Sequence, residues 1–490
     1  MPSRLDSITQ QRLEKLEKLR SRGIEPYPPR YRRTHTTQQA LAIFEDQAGG
    51  GPPVVLSLAG RIVASRSMGK ASFLDLRDGY GKLQVYLRRD RLAEDKYSLL
   101  GELDIGDIIG VQGTLFRTHS GEITLQATDL VLLAKSLQPL PEKWHGLTDT
   151  EKRYRQRYLD LIASEETRQV FWLRSRTISA LRRFMEGRGF IEVETPTLQA
   201  EAGGALARPF VTHHNALDRD LYLRIATELH LKRLIVGGFD AVYEVGRIFR
   251  NEGIDTKHNP EFTTMESYQA YADYNDVMAM VEEMVSSIAR EVLGTTKLDY
   301  GGQELELAPP WPRVELRQAI KERCGIDIED YPDAASLRAK MDSLGVVVEG
   351  AKARGKLIDE LISTYVEPGL IQPTFVIDYP VELSPLAKRK PGSDRYVERF
   401  EAFAGGMEVA NAFTELNDPL EQRQRLEQQL RDREIEVGEG IIDEDFLTAL
   451  EYGMPPTGGL GVGIDRLVML LTDRQSIREV ILFPQLKSKE

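Results

Sequence analysis

The sequence contains a single cysteine, Cys324, among 490 residues. One thiol cannot form an internal disulfide, and no cluster of cysteine and histidine accompanies it, so we expect neither a disulfide framework nor a structural zinc site. Both absences favour a protein of the reducing cytoplasm.

The sequence also lacks long apolar runs and the common phosphate-binding loops. Its opening, MPSRLDSITQQRLEKLEKLR, carries charges throughout, which predicts a polar amphipathic helix rather than a secretory signal or a membrane span. We therefore expect no membrane partner. There is no GxGxxG after a first strand and no GxxxxGK[ST]. A nucleotide, if one is used, would not be held by either loop.

The length and the charge distribution suggest several domains with different partners. A chain of 490 residues is too long for one hydrophobic core. The net charge is −12, but residues 1–150 carry +3 and the rest −15. The N-terminal third is therefore the better place for a phosphate backbone to dock.

Short runs of alternating apolar residues fill the region from about 54 to 135. They are VVLSLAGRIVASR, ASFLDLRD, KLQVYLRRD, DIIGVQGTLFRT and EITLQATDLVLLAK, and glycine-containing turns separate most of them. Five strands, with a possible helix in RLAEDKYSLLGEL between the third and fourth, predict a small barrel of the OB type. Such barrels commonly bind single-stranded nucleic acid.

Longer elements follow a polar, proline-containing connection, so the class predicted for the chain is α+β. Ser164 is a plausible N-cap of a long helix, and helices then alternate with β-like hairpins. The predicted organisation is a helix and lead-in at 1–53, the barrel at 54–140, a linker at 141–163 and a second domain at 164–490. Residues 311–370 of the second domain are expected to be mainly helical.

Residues 249–268, FRNEGIDTKHNPEFTTMESY, gather unusual chemistry between two β-like runs. Arg250 could form a bidentate contact with phosphate or carboxylate, and Phe262 could lie against a purine. An arginine, an acid and an aromatic ring together would suit ATP. On composition alone, a charged hairpin with a core phenylalanine is an equal alternative.

The stretch GGMEVANAFTELND offers Glu408 and Glu415 as ligands of Mg²⁺. Because they are seven residues apart, a regular strand would place them on opposite faces, so a bulge or turn must intervene for both to reach one ion. On a helix they would share a face, and a solvated acidic stripe would then be the simpler interpretation. Asp418 and Pro419 begin a helix in which Glu421 occupies a capping position.

Two further stretches contain charged residues at helix starts. In LRIATELHLKRLIVGG, Thr227 can cap a helix, and Glu228 in its first turn would favour the helix dipole in any protein. In GGLGVGIDRLVMLL, Arg466 follows a glycine-rich approach. It could lie along an apolar surface, form a salt bridge or stack on a flat base.

Taken together, these stretches resemble a known family. GRGFIEVETPTL, FRNEGIDTKHNPEFTTMESY and GLGVGIDRLVML resemble motifs 1, 2 and 3 of the class II aminoacyl-tRNA synthetases, in order, behind a barrel. The resemblance is greatest to the lysine-specific branch and extends over nearly the whole chain. It implies an antiparallel catalytic sheet flanked by helices. It also implies activation of lysine by ATP to lysyl-adenylate, followed by transfer to the 3′ end of the lysine tRNA.

The resemblance also implies roles for individual residues. Arg250 and Arg466 would be catalytic, with Phe262 and Arg466 enclosing the adenine, Mg²⁺ as cofactor, and a homodimer formed through motif 1 around Pro196. A buried ε-ammonium demands a paired carboxylate, which is the sharpest argument for lysine. The implied ATP site is Arg250, Glu252, His258, Asn259, Phe262, Glu408, Glu415 and Arg466, with Glu408 and Glu415 as the metal ligands. The implied lysine site is Gly204, Glu228, Arg250, Glu266, Tyr268, Asn417 and Glu421.

In the barrel, the resemblance implies anticodon binding by Arg66, Phe73, Gln84 and Glu122. Phe73 alternates with Leu74, so one of the two faces outward. Two rival functions stay open. One is a synthetase-like enzyme that lysylates a protein, which the barrel disfavours. The other is a non-catalytic nucleic-acid-binding or regulatory paralogue, which the retained Arg250, Glu408 and Glu415 disfavour.

Overall fold

The computed structural model describes residues 4–46, 52–141, 149–201, 203, 207–346, 348, 350, 352–434 and 442–487. The chain divides into two compact units, Met1–Thr148 and Asp149–Glu490. Within the described ranges, no helix is both long enough and apolar enough to cross a bilayer.

The N-terminal unit is a closed five-stranded barrel preceded by two helices, as the alternating runs predict. The strands join in the order β1-β2-β3-β5-β4, and only the β3–β5 pair is parallel. Alternate residues such as Leu56, Leu58, Leu74 and Leu76 fill the barrel. The elements are α1 (Arg4–Ser21), α2 (Thr37–Asp46), β1 (Val55–Met68), β2 (Ala71–Arg77), β3 (Lys82–Arg88), α3 (Glu94–Leu99), β4 (Ile108–Arg117) and β5 (Ile123–Ala134).

The C-terminal unit is built on an eight-stranded, mainly antiparallel sheet flanked by helices. The strand order is β14-β15-β16-β17-β18-β11-β10-β6, and β14 and β6 pair in parallel at the two edges. The strands of this sheet are β6 (Ile191–Glu192), β10 (Ala241–Phe249), β11 (Glu261–Ala270), β14 (Arg313–Glu315), β15 (Thr374–Pro380), β16 (Tyr396–Ala404), β17 (Met407–Thr414) and β18 (Thr457–Gly463). Two smaller sheets accompany it, one of β7 (Leu198–Gln199), β8 (Val211–His214) and β9 (Arg219–Leu223), the other of β12 (Lys297–Tyr300) and β13 (Gln303–Glu306).

Helices cover one face of this sheet and leave part of the other open. The helix α8 packs against the core side of β17 and β18, where the largest apolar cluster lies. The helices are α4 (Thr150–Arg155), α5 (Arg157–Ala163), α6 (Glu165–Gly187), α7 (Glu228–Val236), α8 (Tyr274–Leu293), α9 (Leu316–Cys324), α10 (Ala334–Ser343), α11 (Arg354–Leu361), α12 (Pro419–Glu434), α13 (Glu444–Glu451), α14 (Ile464–Leu471) and α15 (Ile477–Val480).

The C-terminal unit begins earlier than the predicted boundary at residue 164. The helices α4 and α5 occupy much of the stretch interpreted as a linker, and Arg157 explains why they are part of the unit. Its guanidinium is 1% exposed and donates hydrogen bonds to the carbonyls of Arg478, Ile481 and Leu482. A buried arginine satisfied in this way ties the segment to α15 and to the residues that directly follow it. Residues 142–148 lie outside the described residues.

The described part of residues 311–370 is mainly helical. It forms α9, α10 and α11 with short helical turns at Ile328–Asp330 and Glu367–Gly369, and an apolar cluster of its own packs against β15. The segment also contains β14, an edge strand of the eight-stranded sheet, and Lys356 and Asp359 of α11 line the cavity described next.

Candidate active site

One cavity of about 560 Å³ lies on the open face of the central sheet in the C-terminal unit. Strands β11, β17 and β18 supply much of its lining. Most of the residues singled out in the sequence line this cavity, namely Glu228, Arg250, Glu252, His258, Asn259, Phe262, Glu266, Tyr268, Glu408, Glu415 and Arg466.

The floor of the cavity is a strand with almost no side chains. In β18, Gly459, Gly461 and Gly463 face the cavity, between β11 on one side and β17 on the other. Gly461 pairs with Glu266 of β11 and with Asn411 of β17. These glycines therefore leave a trough whose walls are the longer side chains of the two neighbouring strands.

A β-bulge in β17 turns Glu408 towards this trough. Ala402 of β16 pairs with Ala410, and Phe403 pairs with Glu408, so Val409 is the extra residue. Val409 and Ala410 are both buried on the core side. Because the bulge shifts the alternation by one residue, Glu408 faces the cavity together with later residues of β17. Such a bulge is what the seven-residue interval between Glu408 and Glu415 requires if both are to face one site.

The residues that share this cavity face after the bulge are Asn411, Phe413 and Glu415. All three line the cavity, and sequence reasoning missed Asn411 and Phe413. The alternation in VANAFTE contains the signal for them: once the bulge is placed at Val409, Asn411, Phe413 and Glu415 fall on one face of the strand. Arg399 also lines the cavity, and its Nε donates to Oδ1 of Asn411 at 3.0 Å. Because the amide oxygen of Asn411 faces Arg399, its amide nitrogen points away from Arg399.

Glu415 lies at a closed end of the cavity. Its side chain is fully buried, and its Oε2 forms an ion pair with the ammonium of Lys232. Burial raises its pKa well above the usual range, and the ammonium of Lys232 opposes that rise. A Cβ at Gly459 would lie 1.8 Å from Oε1 of Glu415 and 2.7 Å from Cε1 of Tyr268. Only glycine leaves room for these two side chains.

A second pair of acids lines the cavity next to this end. Glu266 accepts from the backbone N–H of Thr227 at 3.2 Å, at the start of α7. Burial raises the pKa of Glu266 to about 6, and the neighbouring Glu228 adds to the rise. Thr227 occupies the predicted N-cap position, although its hydroxyl forms no cap bond. The closed end therefore presents three carboxylates, Glu228, Glu266 and Glu415.

The other end of the cavity carries arginines. The guanidinium of Arg250 lies 5.3 Å from the ring centre of Phe262. Arg466 donates to Oε2 of Glu408 at 2.9 Å and to its carbonyl at 3.0 Å, and its second terminal nitrogen lies 3.3 Å from Nε2 of His258. Cations and an aromatic face at one end, with acids at the other, suit an anionic planar ligand beside a cationic one.

Glu408 and Glu415 do not meet at one metal position. Both face the cavity, but six strand steps separate them, which corresponds to about 20 Å along β17. Carboxylates that share one Mg²⁺ must lie within a few ångströms of each other. Within the described residues, no three His, Cys, Asp or Glu side chains cluster to hold a metal. Glu408 alone, partly exposed and beside Arg466, fits an ion that also takes phosphate oxygens.

Two further predicted residues, Asn417 and Glu421, do not line the cavity. Asn417 accepts from Nζ of Lys388 at 2.7 Å and donates to the carbonyl of Met454. Glu421 forms ion pairs with Arg389 and Arg425. Glu421 follows the N-cap Asp418 on α12, which directs its side chain along the helix surface.

Three predicted residues remain to be placed, Gly204, Asn259 and Glu252. Gly204 lies outside the described residues, although Gly203 lines the cavity. Asn259 is buried, donates to the carbonyl of Glu261 at 2.6 Å and accepts from the backbone N–H of Gln485 at 3.2 Å. Its contacts fix the loop that carries His258. Glu252 is exposed at the cavity edge.

The N-terminal unit carries three of the residues predicted to contact nucleic acid, Arg66, Phe73 and Gln84, on β1, β2 and β3, and the fourth, Glu122, directly before β5. Leu74 is in the barrel core, whereas Phe73 is half-buried outside it and lies 4.8 Å from the ring of Tyr86. Arg66 pairs with Phe73 in the β1–β2 register. Gln84 donates to Glu122 at 3.0 Å. A ring beside polar and cationic groups is a surface on which a base could stack.

Comparison with known proteins gives two family matches. Residues 149–487 match the model of tRNA synthetases class II (D, K and N). Residues 56–133 match the model of the OB-fold nucleic acid binding domain.

Whole-length relatives are similar as well. A lysine–tRNA ligase of Dehalococcoides mccartyi is 59% identical over 488 residues, covering 99% of this chain and 98% of the relative. One from Moorella thermoacetica is 58% identical over 480 residues, with coverage of 98% and 97%. One from Bacillus subtilis is 49% identical over 489 residues, with coverage of 99% and 98%.

Proposed function

The chain belongs to the class II tRNA synthetases of the D, K and N group, and from this membership we propose that it joins L-lysine to its tRNA at the expense of ATP. The relatives over nearly the full length are lysine–tRNA ligases. The observation that carries the choice of lysine is the buried Glu415, whose carboxylate closes one end of the cavity.

The acidic end selects a cation. Glu228, Glu266 and Glu415 would meet the two ammonium groups of lysine with opposite charge, whereas an aspartate side chain there would meet like charge. An ε-ammonium that leaves water needs such a partner, because an unpaired buried charge is strongly unfavourable. Glu415 takes the role that the resemblance had given to Glu421, and Tyr268 lies beside it across Gly459.

The middle of the cavity would align the two reactants. Arg250 sits where a guanidinium can bind both the substrate carboxylate and the α-phosphate of ATP, and it would stabilise the charge that develops as they join. The amide nitrogen of Asn411 is directed away from Arg399 and would donate to the same carboxylate. It replaces Asn417 in that role. No side chain needs to act as a covalent nucleophile, so positioning and electrostatics supply the catalysis.

The basic end would hold ATP. Phe262 offers an aromatic face for the adenine, and Arg466 with His258 would face the base or the phosphates. Mg²⁺, when bound, neutralises charge on the pyrophosphate leaving group, and Glu408 is the carboxylate that would hold it. Glu252 and Asn259 border this end of the cavity.

The second step would transfer the lysyl group from the adenylate to a ribose hydroxyl at the 3′ end of the lysine tRNA. The barrel would bind the anticodon through Arg66, Phe73, Gln84 and Glu122. This arrangement favours tRNA as acceptor over a protein side chain, because a protein-lysylating enzyme would have no use for an anticodon surface. The reaction belongs in the cytoplasm, where tRNA is charged for translation.

We also propose that the enzyme is a homodimer through the segment around Pro196. Pro196 is exposed, and the apolar residues Ile191 and Leu198 beside it are about half exposed in the single chain, at 50% and 48%. Apolar side chains exposed in this way favour a protein interface. Sedimentation equilibrium of the purified protein tests the dimer.

Pyrophosphate exchange with each of the twenty amino acids tests the first step, and charging of purified tRNA tests the second. Lysine alone should support rapid exchange. Absence of a lysine signal would refute the assignment. Exchange without tRNA charging would instead favour a different acceptor for the lysyl group.

A matched pair of variants tests the acid at the closed end. Glu415→Gln keeps the shape and removes the charge, so the KM for lysine should rise about 10- to 150-fold, as expected for a lost charged hydrogen bond of about 1.5–3 kcal/mol. Glu421→Gln should leave that KM within about threefold, since it removes ion pairs with Arg389 and Arg425 that lie outside the residues lining the cavity. The reverse pattern would return the role to Glu421.

A further inference from the structure

One buried cation at the closed end has no part in the steps above. Lys232 lies on α7 with a fully buried side chain. Its ammonium donates to Oε1 of Glu228, one helical turn earlier, at 2.5 Å, and forms an ion pair with Oε2 of Glu415. It thus bridges the two carboxylates proposed to bind the substrate.

The surroundings of Lys232 keep it charged. The rings of Phe413, Phe446 and Tyr268 lie 5.5, 5.8 and 6.0 Å from its nitrogen, and their faces favour a cation. Burial works to lower its pKa, but Glu228 and Glu415 outweigh that effect and raise it above the ordinary value.

Stability alone gives little reason for this arrangement. Replacing a buried ion pair by apolar groups of similar volume is often neutral or stabilising. The bridge also uses only some of the carboxylate oxygens. Oε2 of Glu415 faces Lys232, whereas Oε1 lies over Gly459, where only the absence of a side chain leaves room. Each acid can therefore bind Lys232 and a ligand at once.

We propose that Lys232 is a positioning residue that sets the length of the diamino acid the cavity accepts. This proposal rests on the lysine function proposed above. The ammonium of Lys232 fixes the spacing between Glu228, which would take the α-ammonium of the substrate, and Glu415, which would take its ε-ammonium. Two carboxylates that share one ammonium have their nearest oxygens no more than about 6 Å apart, so the bridge holds the two acids at one spacing. We expect that spacing to suit lysine better than ornithine, which is one methylene shorter.

The test compares lysine and ornithine in pyrophosphate exchange with Lys232→Met, which keeps the volume and removes the charge. The KM for lysine should rise at least tenfold, while the KM for ATP stays within about threefold. The ratio of kcat/KM for lysine to that for ornithine should fall at least fivefold, because the two acids are no longer held at one spacing. Lys232→Gln provides the same comparison if the methionine variant does not fold.

Chemical rescue separates charge from packing. In Lys232→Ala, added propylammonium should restore the low KM for lysine, whereas propanol, of similar size but neutral, should not. Lys135→Met is the matched control, because Lys135 is equally buried in the barrel and pairs with Asp104 and Asp107. It should lower the thermal midpoint and leave the lysine KM unchanged.

The outcomes are distinct. If the unmodified enzyme fails to exchange with lysine, the proposed function itself fails. If exchange is normal but Lys232→Met keeps the lysine-to-ornithine ratio, or if propanol rescues Lys232→Ala as well as propylammonium does, the positioning role is refuted.

Discussion

The floor of the cavity gives the most direct test of how the amino acid is bound. In Gly459→Ala the new methyl would lie 1.8 Å from Oε1 of Glu415 and 2.7 Å from Cε1 of Tyr268. Neither distance is compatible with van der Waals contact, which needs about 3.5 Å or more. Glu415 must move, and since it is fully buried and paired with Lys232, it can do so only by straining or breaking that pair.

The magnitude follows from the contacts that are lost. Breaking the buried ion pair with Lys232 should lower the free energy of unfolding by about 3–5 kcal/mol. Displacing Glu415 also removes a charged hydrogen bond to the substrate of about 1.5–3 kcal/mol, so we expect kcat/KM for lysine in pyrophosphate exchange to fall about 10- to 150-fold in Gly459→Ala. The KM for ATP should change little, because ATP is proposed to occupy the other end of the cavity.

Gly458→Ala is the control on the same strand. Its methyl would lie 2.7 Å from Cγ2 of Val277 on the core side, so it should lower the thermal midpoint but spare the lysine KM. If Gly459→Ala is folded and keeps kcat/KM for lysine within about threefold of the unmodified enzyme, Glu415 does not read the substrate as proposed.

Three further predictions concern pH and the two binding surfaces. Burial raises the pKa of Glu266 to about 6, so its charge is lost as pH falls through that value, and at pH 5 about one-tenth remains ionised. The lysine KM should therefore rise about tenfold between pH 7 and pH 5, and Glu266→Gln should reduce that rise, with the remainder due to Glu415, whose pKa burial also raises. Asn411→Ala should lower kcat/KM for lysine about tenfold, the value of one hydrogen bond to a charged group, whereas Asn417→Ala should not. Phe73→Ala should raise the KM for tRNA in charging about 5- to 150-fold and leave pyrophosphate exchange unchanged, as loss of a stacking contact of about 1–3 kcal/mol requires; equal effects on both assays would contradict an anticodon role.

Local patterns in the sequence were sufficient for much of the fold. The five barrel strands lie where alternation and glycine turns indicated, and Ser164 caps α6 by accepting from the backbone N–H of Thr167. These features depend on neighbours within a few residues. The early start of the C-terminal unit could not be predicted in this way, because Arg157 finds its partners more than three hundred residues away, at Arg478 and Leu482.

In the candidate site, too, local patterns were sufficient for some residues, whereas others depend on distant contacts. Most of the predicted residues line one cavity, because the motifs that carry them fall on adjacent strands of one sheet. The choice between Glu415 and Glu421 could not be made from the sequence. Both are acids near the same helix start, and only strand pairing and the packing of α7 show that Glu415 is enclosed while Glu421 lies along α12.

Val409 has a consequence for how the strand tolerates change in length. It is the one residue by which β17 exceeds β16 between Ala410 and Glu408. If the strand kept Val409 but paired regularly through it, with no bulge, Met407 would turn outward to the nucleotide and Glu408 would enter the apolar layer under α8. Deleting Val409 would instead remove the bulge and its extra residue together, so Glu408 would still pair with Phe403 and face the cavity. The two ends of the cavity are thus kept in phase by the bulge, and deletion of Val409 should impair lysine activation less than loss of the Glu408 carboxylate does.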